Sequence, residues 1–357
     1  METLVSSLAL MRGRKVLVTG HTGFKGSWLA HWLVTAGADV YGIALPPHTA
    51  PSLFDDLRLA TRMHSTFCDI RHAEQLNTHF KSIKPDVVLH LAAQAIVKKS
   101  YSDPVGTFTT NVLGSLNMLE AVRNCKSVQS FVFVTSDKCY LNRELTRGYH
   151  EHDELGGADP YSASKASAEL LYHSYVPSFF AERPQLAVAS ARAGNVVGGG
   201  DWSDDRLVPD CVRALAADSP IVLRRPEATR PWQHVLEPLS GYLTLAGNLL
   251  SRSITSGESW NFGPPENDVH TVRDVATRCV GAWGQGSVVV DATQQTMHEA
   301  TLLQLNCQKA AERLRWHPRW KYETTIDRTI RWYRGLHDGV PAERLVNTDI
   351  NDYVATE

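Results

Sequence analysis

Residues 15–26, Lys-Val-Leu-Val-Thr-Gly-His-Thr-Gly-Phe-Lys-Gly, place three glycines directly after an apolar, β-branched run. The run predicts a buried strand, and residues 27–36 predict a helix after the last glycine. Such a turn lets the backbone approach an anion closely, and the helix N-terminus adds free N–H groups and a positive dipole end. The spacing of Gly20, Gly23 and Gly26 is not the Gly-x-Gly-x-x-Gly of common dinucleotide folds. We predict a dinucleotide-binding turn, with a packing role for the glycines as the alternative.

Apolar runs and helical patterns alternate through the first half of the chain. Strands are predicted at residues 40–45, 65–68, 86–91, 131–135 and 186–191, and helices at residues 53–60, 73–83, after 111 and at 161–175. This alternation predicts an α/β fold with a Rossmann-type, doubly wound parallel sheet that is covered on both faces. Ligands of such sheets bind at the carboxyl ends of the strands.

The pattern loosens after residue 195, where helices are predicted at residues 207–217, 238–250, 272–283 and 325–332 and a strand at 221–223. We predict a dinucleotide-binding domain over residues 1–194 that also carries the catalytic residues. A smaller, mixed substrate-binding domain is predicted over residues 195–357, with interleaved boundaries. The residues from 347 onward are polar and are predicted to fray.

Composition excludes several classes of function for this chain of 357 residues. A net charge of −2 offers no basic field for nucleic acid, and no apolar stretch is long enough to span a membrane. No His, Cys and carboxylate cluster has the spacing of metal ligands, so no metal is predicted. The cysteines contain no Cys-x-x-Cys pair, which favours reduced thiols and a cytoplasmic location; they are Cys68, Cys125, Cys139, Cys211, Cys279 and Cys307.

Tyr161 and Lys165 are four residues apart in the predicted helix 161–175, so their side chains share one helix face. A tyrosine with a pKa near 10 is a poor base at neutral pH. An adjacent ammonium favours the phenolate and can lower that pKa by about 1–3 units. The pair then forms a general base for an alcohol. The same spacing also occurs on exposed helix faces, but the nucleotide-binding pattern before it favours catalysis.

The order of the glycine turn, Asp69, Leu91-Ala92-Ala93, Asn111 and the Tyr161–Lys165 pair resembles the extended short-chain dehydrogenase/reductase family over roughly residues 14–340. The resemblance implies a bound nicotinamide dinucleotide. It implies that Asn111 supports the active-site helix, for which a helix cap or a local backbone bond is the alternative. The cofactor contacts that it implies are Gly20, Thr22, Gly23, Phe24, Lys25, Gly26, Asp69, Ile70, Leu91, Ala92, Ala93, Thr135, Tyr161 and Lys165.

The strand end Thr135-Ser136-Asp137-Lys138 narrows the resemblance. Ser136 falls where the family places a Ser or Thr that hydrogen-bonds the reacting oxygen of the substrate. Nucleotide-sugar 4,6-dehydratases carry two further acid–base groups here, usually Asp-Glu, where this chain has Asp137-Lys138. With the glycine turn and Arg-Pro-Trp-Gln-His-Val at 230–235, the pair resembles members that act on CDP-glucose. A polar pair that only caps the strand end is the alternative.

The resemblance implies roles for these side chains. Tyr161 would remove the O4 proton of the sugar, and Asp137, protonated through burial, would act as the acid at O6. Lys138 would be either a neutral base at C5 or a charged group that stabilises the enolate, and the sequence does not decide between these roles. A 4-epimerase, a dehydratase of another nucleotide sugar and a non-catalytic dinucleotide sensor are the rival functions.

The substrate contacts predicted from the resemblance are Gln94, Asn195, Arg206, Arg230 and His234. Arg192-x-x-Asn195 matches the family's Arg-x-x-Asn, although Val197 replaces its usual Tyr. Arginine forks suit phosphate oxygens, but each arginine alone is equally consistent with a surface ion pair. Relatives also imply a homodimer or a dimer of dimers, paired through the helices after Asn111 and Tyr161.

The sequence departs from the usual dinucleotide pattern at the second strand. The acid expected about 20 residues after the glycine turn is missing, and no arginine follows the strand to accept a 2′-phosphate. NAD is therefore favoured over NADP. His21 and Lys25 are predicted to crowd the turn and weaken cofactor binding, with Lys25 complementing the diphosphate charge as the alternative.

Overall fold

The structure, a computed structural model, describes residues 2–266, 268–291 and 303–356. Seven strands form one fully parallel sheet with the order β3-β2-β1-β4-β5-β6-β11, and the others form two-stranded pairs. The strands are β1 Lys15–Thr19, β2 Asp39–Ala44, β3 His64–Phe67, β4 Val87–His90, β5 Ser130–Val134, β6 Ala187–Arg192, β7 Val196–Val197, β8 Ile221–Leu223, β9 Thr229–Arg230, β10 Gln233–His234, β11 Ser259–Asn261, β12 His270–Thr271 and β13 Val288–Val290.

Helices cover both faces of the large sheet. They are α1 Leu4–Met11, α2 Phe24–Thr35, α3 Leu53–Asp56, α4 Ala73–Ile83, α5 Val97–Ser102, α6 Pro104–Phe108, α7 Ser115–Asn124, α8 Pro160–Tyr175, α9 Leu207–Ala216, α10 Leu236–Leu250, α11 Val272–Trp283, α12 Gln308–Leu314, α13 Tyr322–His337 and α14 Ala342–Ala355. Short 3₁₀ turns occupy Leu59–Thr61 and Asp137–Cys139, and π-helical turns occupy Thr109–Gly114 and Val176–Phe180.

The alternation of side chains along β1 shows why the sheet needs two covering layers. Val16 and Val18 pack in one hydrophobic cluster, whereas Leu17 packs in a second one. Successive side chains of a strand point to opposite faces, so each face has its own core. The Rossmann-type α/β prediction is therefore confirmed, including the parallel strand order.

Elements of the second half complete the first half. The strand β11 pairs with β6 at the end of the large sheet, and α10 packs against β5, β6 and α1. Because the two halves of the chain interleave in this way, contacts continue across residue 194. The division into residues 1–194 and 195–357 stays a prediction.

Two local predictions differ from the structure. The helix predicted at residues 53–60 ends early because Arg58 adopts a left-handed conformation with φ of 50°. The C-terminal residues do not fray, because α14 buries Val346, Ile350 and Tyr353 against the rest of the molecule. No helix in the described ranges combines the length and apolar content needed to cross a membrane.

Candidate active site

The glycine turn lies between β1 and α2, against the loop that follows β4. Gly20 has φ of 75°, and a Cβ added to it would lie 2.9 Å from the backbone N of Ala92. A Cβ on Gly26 would lie 2.0 Å from the carbonyl oxygen of Gly20. Gly23 is the N-cap of α2 and provides no side-chain cap. The first N–H groups of α2 therefore keep their donor capacity for an anion, and the predicted turn and the Leu91–Ala92 backbone are adjacent, as a dinucleotide requires.

His21 does not crowd this turn, contrary to the sequence prediction. Its ring is fully buried, donates or accepts a hydrogen bond with Ser65 Oγ at 2.7 Å, and lies where a Cβ of Gly42 would be. Burial lowers the pKa of His21 to about 4, so the ring is neutral. Thr22 also turns away from the cleft, since its hydroxyl donates to the carbonyl of Leu45 at 2.8 Å. The His21 ring therefore packs against β2 instead of occupying the space over the glycines.

Lys25 belongs to the charged centre of the site. Burial lowers the pKa of Lys25 to about 8, and the positive charges of Arg206 and Lys165 lower it further. The negative charges of Asp137 and Asp201 act in the opposite direction. A lysine of the glycine turn is thus electrostatically linked to Asp137, the predicted acid, and to Arg206, a predicted substrate residue.

Asp69 and Ile70 follow β3, as predicted, but their side chains have other partners. Arg71 binds the Asp69 carboxylate through Nε at 2.9 Å and Nη2 at 2.6 Å, which lowers the pKa of Asp69. The Ile70 side chain fills the space where a Cβ of Gly114 would be. The carbonyl of Ile70 accepts a hydrogen bond from Asn117 at 2.9 Å. The two residues shape this end of the sheet, and their contacts with a cofactor stay a prediction.

Asn111 connects the loop after β4 with α8. Its Oδ1 accepts from the backbone N–H of Gln94 at 2.8 Å, and its Nδ2 donates to the Gln94 carbonyl and to Ser164 Oγ at 3.0 and 2.9 Å. Ser164 lies between Tyr161 and Lys165 on α8. The amide lies in a π-helical turn, a local widening that frequently marks functional sites. The Gln94 side chain donates to the carbonyl of Ile96 in its own loop and to the hydroxyl of Thr107 in α6.

The segment after β5 brings Ser136, Asp137 and Lys138 together. Ser136 Oγ donates to Asp137 Oδ1 at 2.9 Å and accepts from the Lys138 backbone N–H at 3.3 Å. Only 3% of Asp137 is exposed. A Cβ on Gly194 would lie 1.9 Å from Asp137 Oδ2, so only glycine leaves room for this carboxylate. Sequence reasoning missed Gly194, for which Arg192-x-x-Asn195 was the available signal.

Tyr161 and Lys165 lie in the same buried site, but their protonation differs from the prediction. Burial raises the pKa of Tyr161 to about 12, although a hydrogen bond with Ser136 and the charge of Arg206 lower it. Burial also lowers the pKa of Lys165 to about 8. The expected depression of the tyrosine pKa is wrong for this state, because desolvation of the phenolate outweighs the charges that favour it.

Three of the predicted substrate residues, Arg206, Asn195 and Arg230, lie in different segments of the second half of the chain. Arg206 contacts the buried carboxylate of Asp201 at 3.2 Å. The positive charge of Arg206 lowers the pKa of both Tyr161 and Lys25. Asn195 lies in the segment between β6 and β7, in a left-handed conformation with φ of 45°. Arg230 lies in β9, which pairs with β12, and donates to the carbonyl of Thr229.

His234 is not brought into the cleft. It is fully buried, and its ring packs against Trp28 and Trp320 at centroid distances of 5.9 and 4.8 Å. Burial lowers the pKa of His234 to about 3. The structure makes it a core histidine, so a substrate contact is not supported. Among the described residues, no group of three His, Cys, Asp or Glu side chains is arranged to hold a metal ion.

Known proteins are similar to this chain in sequence and in fold. The family model described as GDP-mannose 4,6 dehydratase matches residues 17–329. A curated CDP-glucose 4,6-dehydratase of Salmonella typhimurium is 43% identical over 348 residues, which cover 96% of this chain and 97% of the relative. A dTDP-glucose 4,6-dehydratase of Streptomyces antibioticus is 31% identical over 89% of this chain and 92% of the relative.

Solved structures agree on the fold. The dTDP-glucose 4,6-dehydratase DesIV of Streptomyces venezuelae, crystallised with NAD, superposes with a TM-score of 0.75 at 23% identity, covering 90% of this chain and 97% of that one. An epimerase of Methanothermobacter thermautotrophicus gives a TM-score of 0.80 at 23% identity, covering 94% and 97%. With a family match over most of its length and full-length relatives above 30% identity, the chain belongs to the GDP-mannose 4,6-dehydratase family.

Proposed function

We propose that this chain is an NAD-dependent hydro-lyase that converts CDP-glucose to CDP-4-keto-6-deoxy-glucose. The observation that carries the proposal is the buried cluster of Ser136, Asp137 and Tyr161 with Lys138 beside it. A 4-epimerase has no use for two further acid–base groups at this strand end. The full-length likeness to a curated CDP-glucose 4,6-dehydratase supports the CDP-linked substrate over the GDP-linked one in the family's description.

When bound, NAD would supply the redox chemistry of this reaction, as the acceptor of a hydride from C4 of the sugar and its donor to C6. Gly20, Gly23 and Gly26 suit it because they bring backbone N–H groups to a diphosphate without obstruction. No acidic ribose acceptor and no 2′-phosphate arginine follow β2, and NAD rather than NADP fits that ending.

Tyr161 is the group that moves the O4 proton. Its hydroxyl is hydrogen-bonded to Ser136, which therefore also lies beside the reacting oxygen. Arg206 and this hydrogen bond both favour the phenolate against the effect of burial. Lys165, one turn further along α8, adds a positive charge to the same helix face.

Asp137 is the group to which we assign the protonation of O6 as water leaves. Its Oδ1 is held by Ser136, while Oδ2 occupies the space next to Gly194. Lys138 follows in the same turn, as base at C5 or as counter-charge of the enolate.

Mass spectrometry of CDP-glucose incubated with the protein and NAD tests the proposal, with dTDP- and GDP-hexoses in parallel. Loss of one water from CDP-glucose alone is expected. Loss of water from another nucleotide sugar would keep the mechanism and overturn the specificity. An isomer without mass change would favour a 4-epimerase, and no reaction with any sugar would favour a sensor.

We also propose a homodimer that works in the cytoplasm, in the formation of deoxysugars for surface polysaccharide. The helices around Asn111 and α8 contact each other and expose large apolar side chains, among them Val105, Phe108, Leu113 and Leu170. Contiguous exposed apolar side chains of this size mark interfaces. The six cysteines are all unpaired, which supports a reducing compartment.

A further inference from the structure

Glu169 and Arg192 form a fully buried ion pair directly behind the active site. Glu169 lies on α8 two turns beyond Tyr161, and Arg192 is the last residue of β6. Arg192 Nε donates to Glu169 Oε1 and Nη2 donates to Oε2, both at 2.9 Å. Neither side chain has exposed surface. The mechanism above uses neither residue.

The pair is bonded to both ends of the catalytic segment. Thr135, the residue before Ser136, donates its hydroxyl to Glu169 Oε1 at 2.5 Å. Tyr140, the residue after the 3₁₀ turn Asp137–Cys139, accepts at its hydroxyl from Arg192 Nη1 at 2.7 Å. The same ion pair is therefore hydrogen-bonded to Thr135 and Tyr140, the two residues that flank residues 136–139.

The pair also acts on α8 by its charge. Tyr161, Lys165 and Glu169 follow one another at intervals of four residues and share one helix face. The negative charge of Glu169 raises the pKa of Lys165, against the larger lowering caused by burial. Loss of that charge would leave Lys165 less able to stay protonated.

Stability alone does not explain such a pair. Moving two charges out of water costs several kcal/mol per ion, and well-packed apolar residues often stabilise a core equally well. An apolar pair would still hold α8 to the sheet. It would leave the Thr135 hydroxyl without its acceptor and the Tyr140 hydroxyl bonded only to Asn261. The polar pair is the arrangement that defines where those hydroxyls, and the segment between them, must lie.

We infer that the Glu169–Arg192 pair positions residues 136–139 against Tyr161, through Thr135 on one side and Tyr140 on the other. The inference rests on the proposed dehydratase function for its kinetic readout, but not for its structural one. Thr135 is then a positioning residue rather than a cofactor contact.

The first test compares Thr135→Val, which removes the hydroxyl at nearly constant volume, with Thr135→Ser, which keeps it. Small misplacements of catalytic groups cost up to about 100-fold in rate. We expect Thr135→Val to lower kcat by about 10- to 100-fold with KM and the NAD dissociation constant unchanged, and Thr135→Ser to restore most of the rate. Thr329→Val is the matched control, since Thr329 is equally buried and donates only within α13.

Cys139 provides a readout that needs no substrate or cofactor. Its thiol lies in the positioned turn, is fully buried, and has a pKa raised by that burial. Peptide mapping after alkylation should show faster labelling of Cys139 in Thr135→Val. Cys279, buried in α11, should stay unlabelled and so exclude general unfolding.

Glu169→Gln separates charge from attachment. The alkaline limb of the kcat profile should move to lower pH, because Lys165 loses the charge that raises its pKa, whereas Thr135→Val should leave that limb in place. If Glu169→Gln fails to fold, the two Thr135 variants decide.

Two outcomes would overturn the positioning role. They are unchanged Cys139 labelling in Thr135→Val, or weakened NAD binding by Thr135→Val with a normal kcat. If the wild-type protein leaves CDP-glucose intact while Thr135→Val still shows faster Cys139 labelling, the proposed function is rejected and the positioning role is retained.

Discussion

Asp137 shows how much of this site depends on the immediate surroundings of one carboxylate. Its backbone N–H donates to the Ala193 carbonyl at 3.3 Å, and its Oδ1 accepts from Ser136. Its Oδ2 occupies space that any side chain at position 194 other than glycine would fill. Those contacts leave one orientation for the group. An acid with a single orientation can serve one oxygen of the substrate, which suits a dedicated proton donor.

Asp137→Asn should block the elimination without blocking the earlier steps. The amide keeps the shape and the bond with Ser136 but cannot protonate O6, so kcat should fall about 100-fold or more. In D₂O, recovered CDP-glucose should carry deuterium at C5, measured by mass spectrometry. The exposed Asp338→Asn serves as control. A kcat within threefold of wild type would contradict the assigned role.

Gly26→Ala should impair the cofactor turn, because the new Cβ would lie 2.0 Å from the Gly20 carbonyl oxygen. We expect the NAD dissociation constant, measured by calorimetry, to rise at least about tenfold and Tm to fall. Gly281→Ala in α11 is the matched control, since nothing lies within 4 Å of its added Cβ. That variant should be neutral or gain about 0.5–1 kcal/mol. Normal NAD binding by Gly26→Ala would refute the role of this glycine.

The residues that sequence reasoning placed correctly are those with a local signal. The four-residue interval of Tyr161 and Lys165 and the three-residue intervals of the glycines follow from helix and turn geometry. Gly194 and Glu169 were missed because their partners are distant in sequence. His234 was misplaced because the Arg-Pro-Trp-Gln-His-Val motif does not reveal which side chains enter the core.

At the scale of elements, α14 contradicts its own composition. Polar residues make up half of the helix, yet Val346, Ile350 and Tyr353 recur at intervals of four and three and face the core. The Tyr353 hydroxyl donates to Glu237 Oε2 at 2.6 Å. Window-averaged polarity hid this stripe, so the prediction of a frayed end was wrong.

Glu237 should make the docking of α14 dependent on pH. Burial raises its pKa from 4.5 to about 7, although hydrogen bonds from Tyr353 and from the backbone of Trp320 and Arg319 lower it. The folded state therefore binds this proton more tightly than the unfolded state. The resulting stability is fully present below about pH 4.5 and is lost as the pH rises toward about 7.

Glu237→Gln should remove this contribution. The Tm difference between wild type and variant, measured by calorimetry from pH 5 to pH 8, should change steadily in favour of the variant as the pH rises. Taking the difference cancels the opposite slope of buried histidines such as His21 and His90, whose lowered pKa values favour folding at higher pH. The exposed Glu182→Gln is the control. Parallel profiles for wild type and Glu237→Gln would count against the linkage.

At the scale of the whole molecule, the apolar surface around α6 and α8 is where we expect two copies of the chain to pair in the proposed dimer. Leu113 and Leu170 are 52% and 58% exposed, on elements that touch each other. Leu113→Glu with Leu170→Glu should convert the proposed dimer to a monomer, because burying two carboxylates in an apolar interface is costly. Light scattering after gel filtration measures the mass. Val222→Glu, at a residue 56% exposed on β8, should leave the dimer intact. A dimer that survives the paired substitution would place the interface elsewhere.

The late arrival of β11 has a consequence for the growing chain on the ribosome. Arg192 ends β6, and the strand that covers its free edge is complete only at Asn261, roughly 70 residues later. At about 5–20 residues per second this interval lasts about 4–14 s. Throughout it, a strand that is buried at every position in the finished protein presents open backbone donors and acceptors. Nascent chains of this protein should therefore depend most on chaperones between these two points of synthesis.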